Sequence, residues 1–290
     1  MKVAIVSSLE HCNKISEDKG LKSALQKYGI ESDIVAWESK DTEWTIYDAA
    51  ILRSAWGYHK KYDEFIQWMD HLDTCGVRLI NSTNMVRWNI HKDLQLDTLR
   101  TLGIPVIPYS ITNSADINIA ILKKQFNTNK IVLKPTVSAS GTDTYILGDS
   151  LSRNTIVPAD IATIFKNRQI IAQPYLENII DGEYALVYIG GQFSHAVIRF
   201  PGVFAQKQSP VYIEKLTVPA KILGLAENCA RKMNQHFGST PAYARYDIVD
   251  GIIMEVELAE PDLMTRNIPE ENSLKALSNL AQIVHKEAVR

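Results

Sequence analysis

RYDIVDGIIMEVELAE, residues 245–260, alternates apolar and charged positions about Asp250-Gly251 and reads as a β-hairpin. The turn decides what the hairpin carries. With a three-residue loop, Val249-Asp250-Gly251, Ile248 pairs with Ile252, Asp247 lies opposite Ile253, and Arg245, Asp247, Glu255 and Glu257 share one face. With a two-residue Asp-Gly turn, Asp247 falls on one face and the two glutamates on the other, because a slip of one residue reverses every side chain. The first register builds a face of hard oxygen ligands that suits Mg²⁺, which commonly bridges protein carboxylates to substrate phosphates. The second makes an edge hairpin with a solvated polar face.

A metal seat of this kind calls for a phosphate partner, and the upstream sequence offers one. In KIVLKPTVSASGTDTYIL, residues 130–147, an apolar strand ends at Lys134-Pro135 and is followed by the small residues Ser138, Ala139, Ser140, Gly141 and Thr142. Such a loop lays backbone N–H groups over phosphates while the lysine offsets their charge; taken alone it also fits a solvated hairpin. Next comes IIAQPYLENIIDGEYALVYIGGQFSHAVIRFPG, residues 170–202. An extended Gln173 to Leu176 segment can pair its backbone with an adenine edge, and Glu183 can accept the ribose hydroxyls. The plainer reading is a strand followed by a Gly190-Gly191 hairpin.

Taken in order, these segments resemble the ATP-grasp superfamily, and from about Asn81 to Pro261 the pattern is similar to bacterial glutathione synthetases. In that family a lysine in an N-x-x-K helix and a second in V-x-K-P contact the nucleotide phosphates. The resemblance implies those roles for Lys92, in NIHK, and Lys134, with Ser138, Ser140 and Gly141 in the phosphate loop. It places Gln173, Tyr175, Leu176, Gly182 and Glu183 at the nucleotide hinge. Family metal ligands fall on an Asp, a Glu eight residues later and an Asn two further, which here are Asp247, Glu255 and Glu257. Implied with them are ATP and Mg²⁺, two ions, with Mn²⁺ as a substitute. Two departures stand out: Ala185 where glutathione synthetases carry a basic residue, and no glycine-rich R-G-N segment after Pro201. LRSAWGYH, SHAVIRFPG and MEVELAEPDL are more similar to the ATP-grasp group that includes the D-cycloserine-forming ligase of antibiotic biosynthesis.

The chemistry implied is ligation. A carboxylate attacks the γ-phosphate of ATP, and an amine then displaces phosphate from the acyl phosphate. Arg199 and Arg245 become the candidate catalytic cations at the transferring group and the acyl-phosphate oxyanion; structural ion-pairing is the alternative reading for both. For substrate binding, Arg53, Ser54 and Tyr58 follow the carboxyl end of a strand, a usual ligand position in open α/β sheets, and Arg53 can pair with an α-carboxylate. Trp56 and Tyr58 read equally well as core caps. His195 is the remaining substrate candidate, although a strand histidine more often packs as a polar core residue. The partner is then a small amino-acid-like molecule, joined to an amine or closed into a ring; a kinase that stops at phosphorylation and a nucleotide-binding regulatory protein are the alternatives.

Composition agrees with an enzyme. Of 290 residues 46% are apolar, and 31 basic against 33 acidic side chains give a net charge of −2 without basic blocks, so nothing favours nucleic acid. Cys12, Cys75 and Cys229 are widely spaced and expected as reduced core thiols. KVAIVSS lacks a signal-like leader and no apolar run approaches ~20 residues, so the expected location is cytoplasmic, away from membranes. A homodimer is ordinary for the family. The fold expected is mixed α/β: an open parallel sheet over residues 1–82, with no G-x-G-x-x-G, then an ATP-grasp domain over 83–290. Within the latter, about 109–172 is expected as a mobile lid, GIPVIP as the start of a strand, and the C-terminal part as an antiparallel sheet with helices from about Pro219 and Glu270.

Overall fold

A computed structural model describes residues 1–139, 141–148, 158–200 and 209–289. The N-terminal portion alternates β1 (Lys2–Ser7), α1 (Ser16–Lys27), β2 (Glu31–Ala36), β3 (Ala49–Leu52), α2 (Tyr62–Thr74) and β4 (Arg78–Ile80). The strands form a parallel sheet in the order β2-β1-β3-β4. Val3 to Val6 and Ala49 to Leu52 are buried throughout, as expected of strands covered on both faces. On one face Leu21 and Leu25 of α1 meet Leu277, Leu280 and Val284 from the C-terminal helix; on the other, Phe65 and Trp68 of α2 pack with Trp37, Trp44 and Tyr58.

Two helices, α3 (Thr83–Asn89) and α4 (Lys92–Thr101), lead out of this layer. A four-stranded antiparallel sheet follows, made of β5 (Ser110–Thr112), β6 (Ile131–Pro135), β7 (Tyr145–Leu147) and β8 (Ile170–Pro174) in the order β5-β8-β6-β7, with α5 (Ile119–Phe126) and α6 (Pro158–Ile164) between them. GIPVIP is not a strand. Val106 makes one isolated parallel bridge to Ile253, because Pro105 and Pro108 bring no N–H to a ladder.

The third sheet is antiparallel, in the order β11-β10-β9-β12-β13: β9 (Glu183–Ile189), β10 (Gln192–Arg199), β11 (Val211–Ile213), β12 (Tyr243–Val249) and β13 (Ile252–Glu257). Between its strands and after them run α7 (Ala220–Phe237) and α8 (Glu270–Val289). Gly182, just before β9, has φ +111°, and a Cβ there would clash with the Ile198 side chain. Only glycine lets the chain enter that strand so closely under β10.

The β12–β13 hairpin combines features of both registers expected for it. Val249 pairs with Ile252 across a two-residue turn in which Asp250 and Gly251 both have positive φ. An irregularity then adds one residue on β13, so that Asp247 lies opposite Glu255, not Ile253, and Arg245 opposite Glu257. The bulge restores to one face the acidic set that the short turn alone would have split.

Candidate active site

A cavity of about 640 Å³ lies between the two antiparallel sheets, closed at one end by α4 and by the loop after β3. Its floor is the acidic face of β12–β13. Asp247 is almost fully buried and is gripped from both sides: Arg245 Nε and Nη2 donate to it at 2.9 Å each, and Arg199 Nη2 donates to Oδ2 at 2.6 Å. Arg199 Nη2 also reaches Glu183 Oε2 at 2.5 Å, and Arg245 Nη2 reaches Glu257 Oε1 at 2.5 Å. Lys92, at the start of α4, donates to Glu255 Oε1 at 2.6 Å and to the Ser138 carbonyl at 2.9 Å.

These pairs divide the carboxylates. Burial raises Glu255, but Lys92 and Lys134 outweigh it and hold the group down at about 2. Burial lifts Glu257 to about 8, Arg245 opposing and Asp247 adding to the rise. Glu183 is also raised by burial against the pull of Arg199. The floor carries more carboxylate than its own cations fully offset, so a divalent cation is a fitting addition to the donor set. Among the described residues no three carboxylates stand together as a ready-made cage, since the guanidinium groups lie between them.

The roof comes from β6 and β8. Val132 pairs with Gln173, so Lys134, two residues on, shares their face toward the cavity. The Lys134 ammonium makes no ion pair among the described residues, and burial lowers its pKa, Glu255 opposing. Gln173 Nε2 and Arg199 Nε are likewise buried without a partner there. Pro174, Tyr175 and Leu176 continue the wall, although the Tyr175 N–H is committed to the Lys130 carbonyl at 3.0 Å. Unpaired donors facing a cavity are costly unless a ligand meets them, and a polyanionic nucleotide supplies acceptors for each. Ser138 and Gly141 also line the cavity, while Ser140 lies outside the described residues.

A model for the prokaryotic glutathione synthetase ATP-grasp domain matches residues 99–272, and one for the N-terminal domain of D-cycloserine synthetase DcsG matches residues 3–81. The chain belongs to the prokaryotic glutathione synthetase ATP-grasp family. It is an ATP-dependent ligase of the C–N bond-forming kind. Across its length it is similar to the cycloserine biosynthesis protein DcsG of Streptomyces lavendulae, 25% identical over 283 residues, 90% of this chain and 92% of that one. The crystal structure of D-cycloserine synthetase DcsG superposes with a TM-score of 0.81 at 21% identity, covering 99% of this chain and 100% of that chain. D-alanine–D-alanine ligase from Bacillus anthracis complexed with ATP follows the same fold, with a TM-score of 0.69 at 17% identity over 100% of this chain and 98% of that chain.

The substrate end of this ATP-grasp ligase differs from expectation. Arg53 and Ser54 do not line the cavity. Arg53 is buried, with Nη2 on Glu17 Oε1 at 2.5 Å and on the Pro261 carbonyl at 2.8 Å, and its guanidinium stacks 4.8 Å from the Tyr243 ring. Ser54 donates to buried Asp18. His195 is also turned away: Nε2 donates to the Leu263 carbonyl at 2.6 Å, and Nδ1 meets Ser194 Oγ at 2.9 Å. Placing these three as substrate contacts is therefore corrected; their neighbours Trp56 and Tyr58 do line the cavity. Of the cysteines only Cys229 is a core thiol, Cys12 and Cys75 being half-buried.

What Arg53 and His195 hold is the segment after β13, which the sequence reading overlooked. Its carbonyls from 259 to 263 each accept from a different side chain: Ala259 from the Tyr243 hydroxyl at 2.9 Å, Glu260 from Trp56 Nε1 at 3.0 Å, Pro261 from Arg53, Asp262 from Arg245 Nη1 at 2.9 Å, and Leu263 from His195. Glu17 adds contacts to Thr265, 3.0 Å to its hydroxyl. The strap so fixed sends alternate residues, Glu260, Asp262, Met264 and Arg266, to the cavity and buries Ala259, Pro261, Leu263 and Thr265. The alternation of AEPDL, residues 259–263, was the available signal.

Proposed function

We propose that this ligase closes a ring in a small amino-acid-like substrate, forming the C–N bond of a D-cycloserine-like product at the expense of ATP in antibiotic biosynthesis. The observation that carries the reading is one continuous cavity in which a phosphate-directed set of cations meets a strap of amino-acid-sized polar groups, on a chain similar to DcsG from end to end. In this reading residues 1–82 and 83–290 are the two working domains, about 109–172 moves as the lid, and the enzyme acts in the cytoplasm.

Lys92 and Lys134 hold the phosphates, Ser138 and Gly141 border them, Gln173 to Leu176 receive the adenine, and Glu183 takes the ribose. Asp247, Glu255 and Glu257 hold two Mg²⁺ ions, or Mn²⁺ in their place, whose chemistry is to neutralise phosphate charge and steady the γ-phosphoryl group. The substrate carboxylate attacks that group, giving an acyl phosphate and ADP; the substrate nitrogen then adds to the acyl carbon and phosphate leaves. Of the two candidate cations, Arg245 is committed to Asp247, Glu257 and the Asp262 carbonyl, whereas Arg199 keeps Nε unpartnered among the described residues. We therefore assign Arg199 to the transferring group and Arg245 to positioning the floor.

The test uses O-amino-D-serine, the open-chain precursor that loses one water on closing to D-cycloserine, with Mg·ATP. One ADP, one phosphate and one D-cycloserine per turnover is the expected result. A stable phosphorylated substrate would instead make the protein a kinase, and phosphate release only with a separate amine would make it an intermolecular ligase.

A further inference from the structure

Resting on the ligase reading, the geometry points to Glu260 as the residue that selects a substrate bearing a free ammonium group, by pairing with that ammonium. Every other described carboxylate that lines the cavity already has a cation: Glu183 and Asp247 have Arg199, Asp247 and Glu257 have Arg245, Glu255 has Lys92, and Asp262 has Arg266 at 2.5 Å. Glu260 alone of these has no cation among the described residues. Burial pushes its carboxyl up to about 7, Lys92 opposing and Glu255 reinforcing the rise, so an added cation stabilises the ionised form.

The placement of Glu260 is fixed independently of its charge. Its carbonyl is held by Trp56, and the carbonyls on either side are held by Tyr243 and Arg53. The side chain therefore meets a ligand from a backbone that does not need reorganising. Trp56 and Tyr58 line the same cavity, and the Tyr58 hydroxyl, raised well above its usual value by burial, is influenced next by Glu260. Aromatic side chains lining the cavity with a lone carboxylate suit an organic ammonium. The ammonium read here is not the nitrogen that attacks the acyl carbon; it is the α-amino group, which anchors the substrate while its other end reacts.

The experiment compares O-amino-D-serine with 3-(aminooxy)propanoic acid, which lacks only the α-ammonium, as substrates with Mg·ATP. A charge-assisted contact predicts a preference of about tenfold to a hundredfold in kcat/KM for the amino compound in the wild-type enzyme. In Glu260→Gln that ratio collapses toward unity while the KM for ATP stays as it was, and Glu260→Asp retains part of it. A wild-type preference that survives Glu260→Gln overturns the assignment and leaves the ligase reading standing, as does equal use of both compounds by the wild type. Turnover of neither compound by the wild type sinks the ring-closing reading and this assignment together.

Discussion

Two acidic stretches, separated by a few residues along the chain, are held in opposite ways. On the floor of β12 and β13 the side chains of Asp247, Glu255 and Glu257 are gripped by Arg245, Arg199 and Lys92. On the strap the backbone is gripped, five carbonyls in succession, while Glu260 keeps its carboxylate unpaired among the described residues. The difference separates two kinds of work. A floor whose carboxylates are each paired but not fully offset can receive phosphate and metal by exchanging partners, at little cost in reorganisation. A strap whose main chain is immobile presents fixed contacts to a small substrate. Chemistry should thus depend most on the floor's charges, and substrate affinity on the strap's anchors.

The largest effect is expected from Asp247→Asn. Asp247 accepts from Arg199 and from both Nε and Nη2 of Arg245, so an amide turns N–H groups toward guanidinium donors and leaves buried Arg245 and half-buried Arg199 short of negative charge. Breaking a buried pair in this way costs roughly 3–5 kcal/mol. We expect a matching loss in urea unfolding and a fall in kcat of about a thousandfold or more, read by ADP release. Near-normal turnover and Mg²⁺ dependence would falsify the floor's assigned role.

Arg53→Met probes the strap and should act differently. The substitution leaves the buried Glu17 carboxylate without its cation and the Pro261 carbonyl without its donor. A destabilisation of about 3 kcal/mol is expected, along with a several-fold rise in KM for O-amino-D-serine and an unchanged KM for ATP. If both Michaelis constants rise in proportion, strap and floor are one mechanical unit and the distinction between them fails.

Sequence reasoning reached the floor more completely than the strap, for a physical reason. Local alternation marks Asp247, Glu255 and Glu257 as carboxylates on a hairpin, and motif spacing brings Lys92 and Lys134 to the same cavity. Their register depended on one extra residue in β13, which no local propensity announces because a bulge belongs to a pair of strands. Arg53 misled because the end of a parallel strand is a common ligand position; its partners, Glu17 and Pro261, lie 36 and 208 residues away in sequence. GIPVIP looked like a strand from its apolar run, but the two prolines limit it to the bonds Ile107 and Pro105 make with Ile253. The strap was legible only as a short alternation, and its meaning came from donors contributed by three other segments.

The smallest effect should come from His195→Gln, which keeps a donor for the Leu263 carbonyl while removing a titratable ring. The Nε2–H bond to that carbonyl and the Ser194 hydroxyl at Nδ1 fit a neutral imidazole, and burial depresses its pKa, the Leu263 carbonyl opposing. In the unfolded chain the ring takes a proton below about pH 6.5. The unfolded state then binds more protons than the folded one, so the contribution of His195 is fully present above that pH and is lost as pH falls toward the folded pKa. Asp18, held up at about 6 by burial, titrates over part of this range in both proteins and so drops out of their difference. The Tm of the wild type minus that of His195→Gln should therefore be smaller at pH 5.5 than at pH 7.5, by about two degrees. A difference that stays constant across that range would mean that the fold does not keep the ring neutral against its protonation in the unfolded chain.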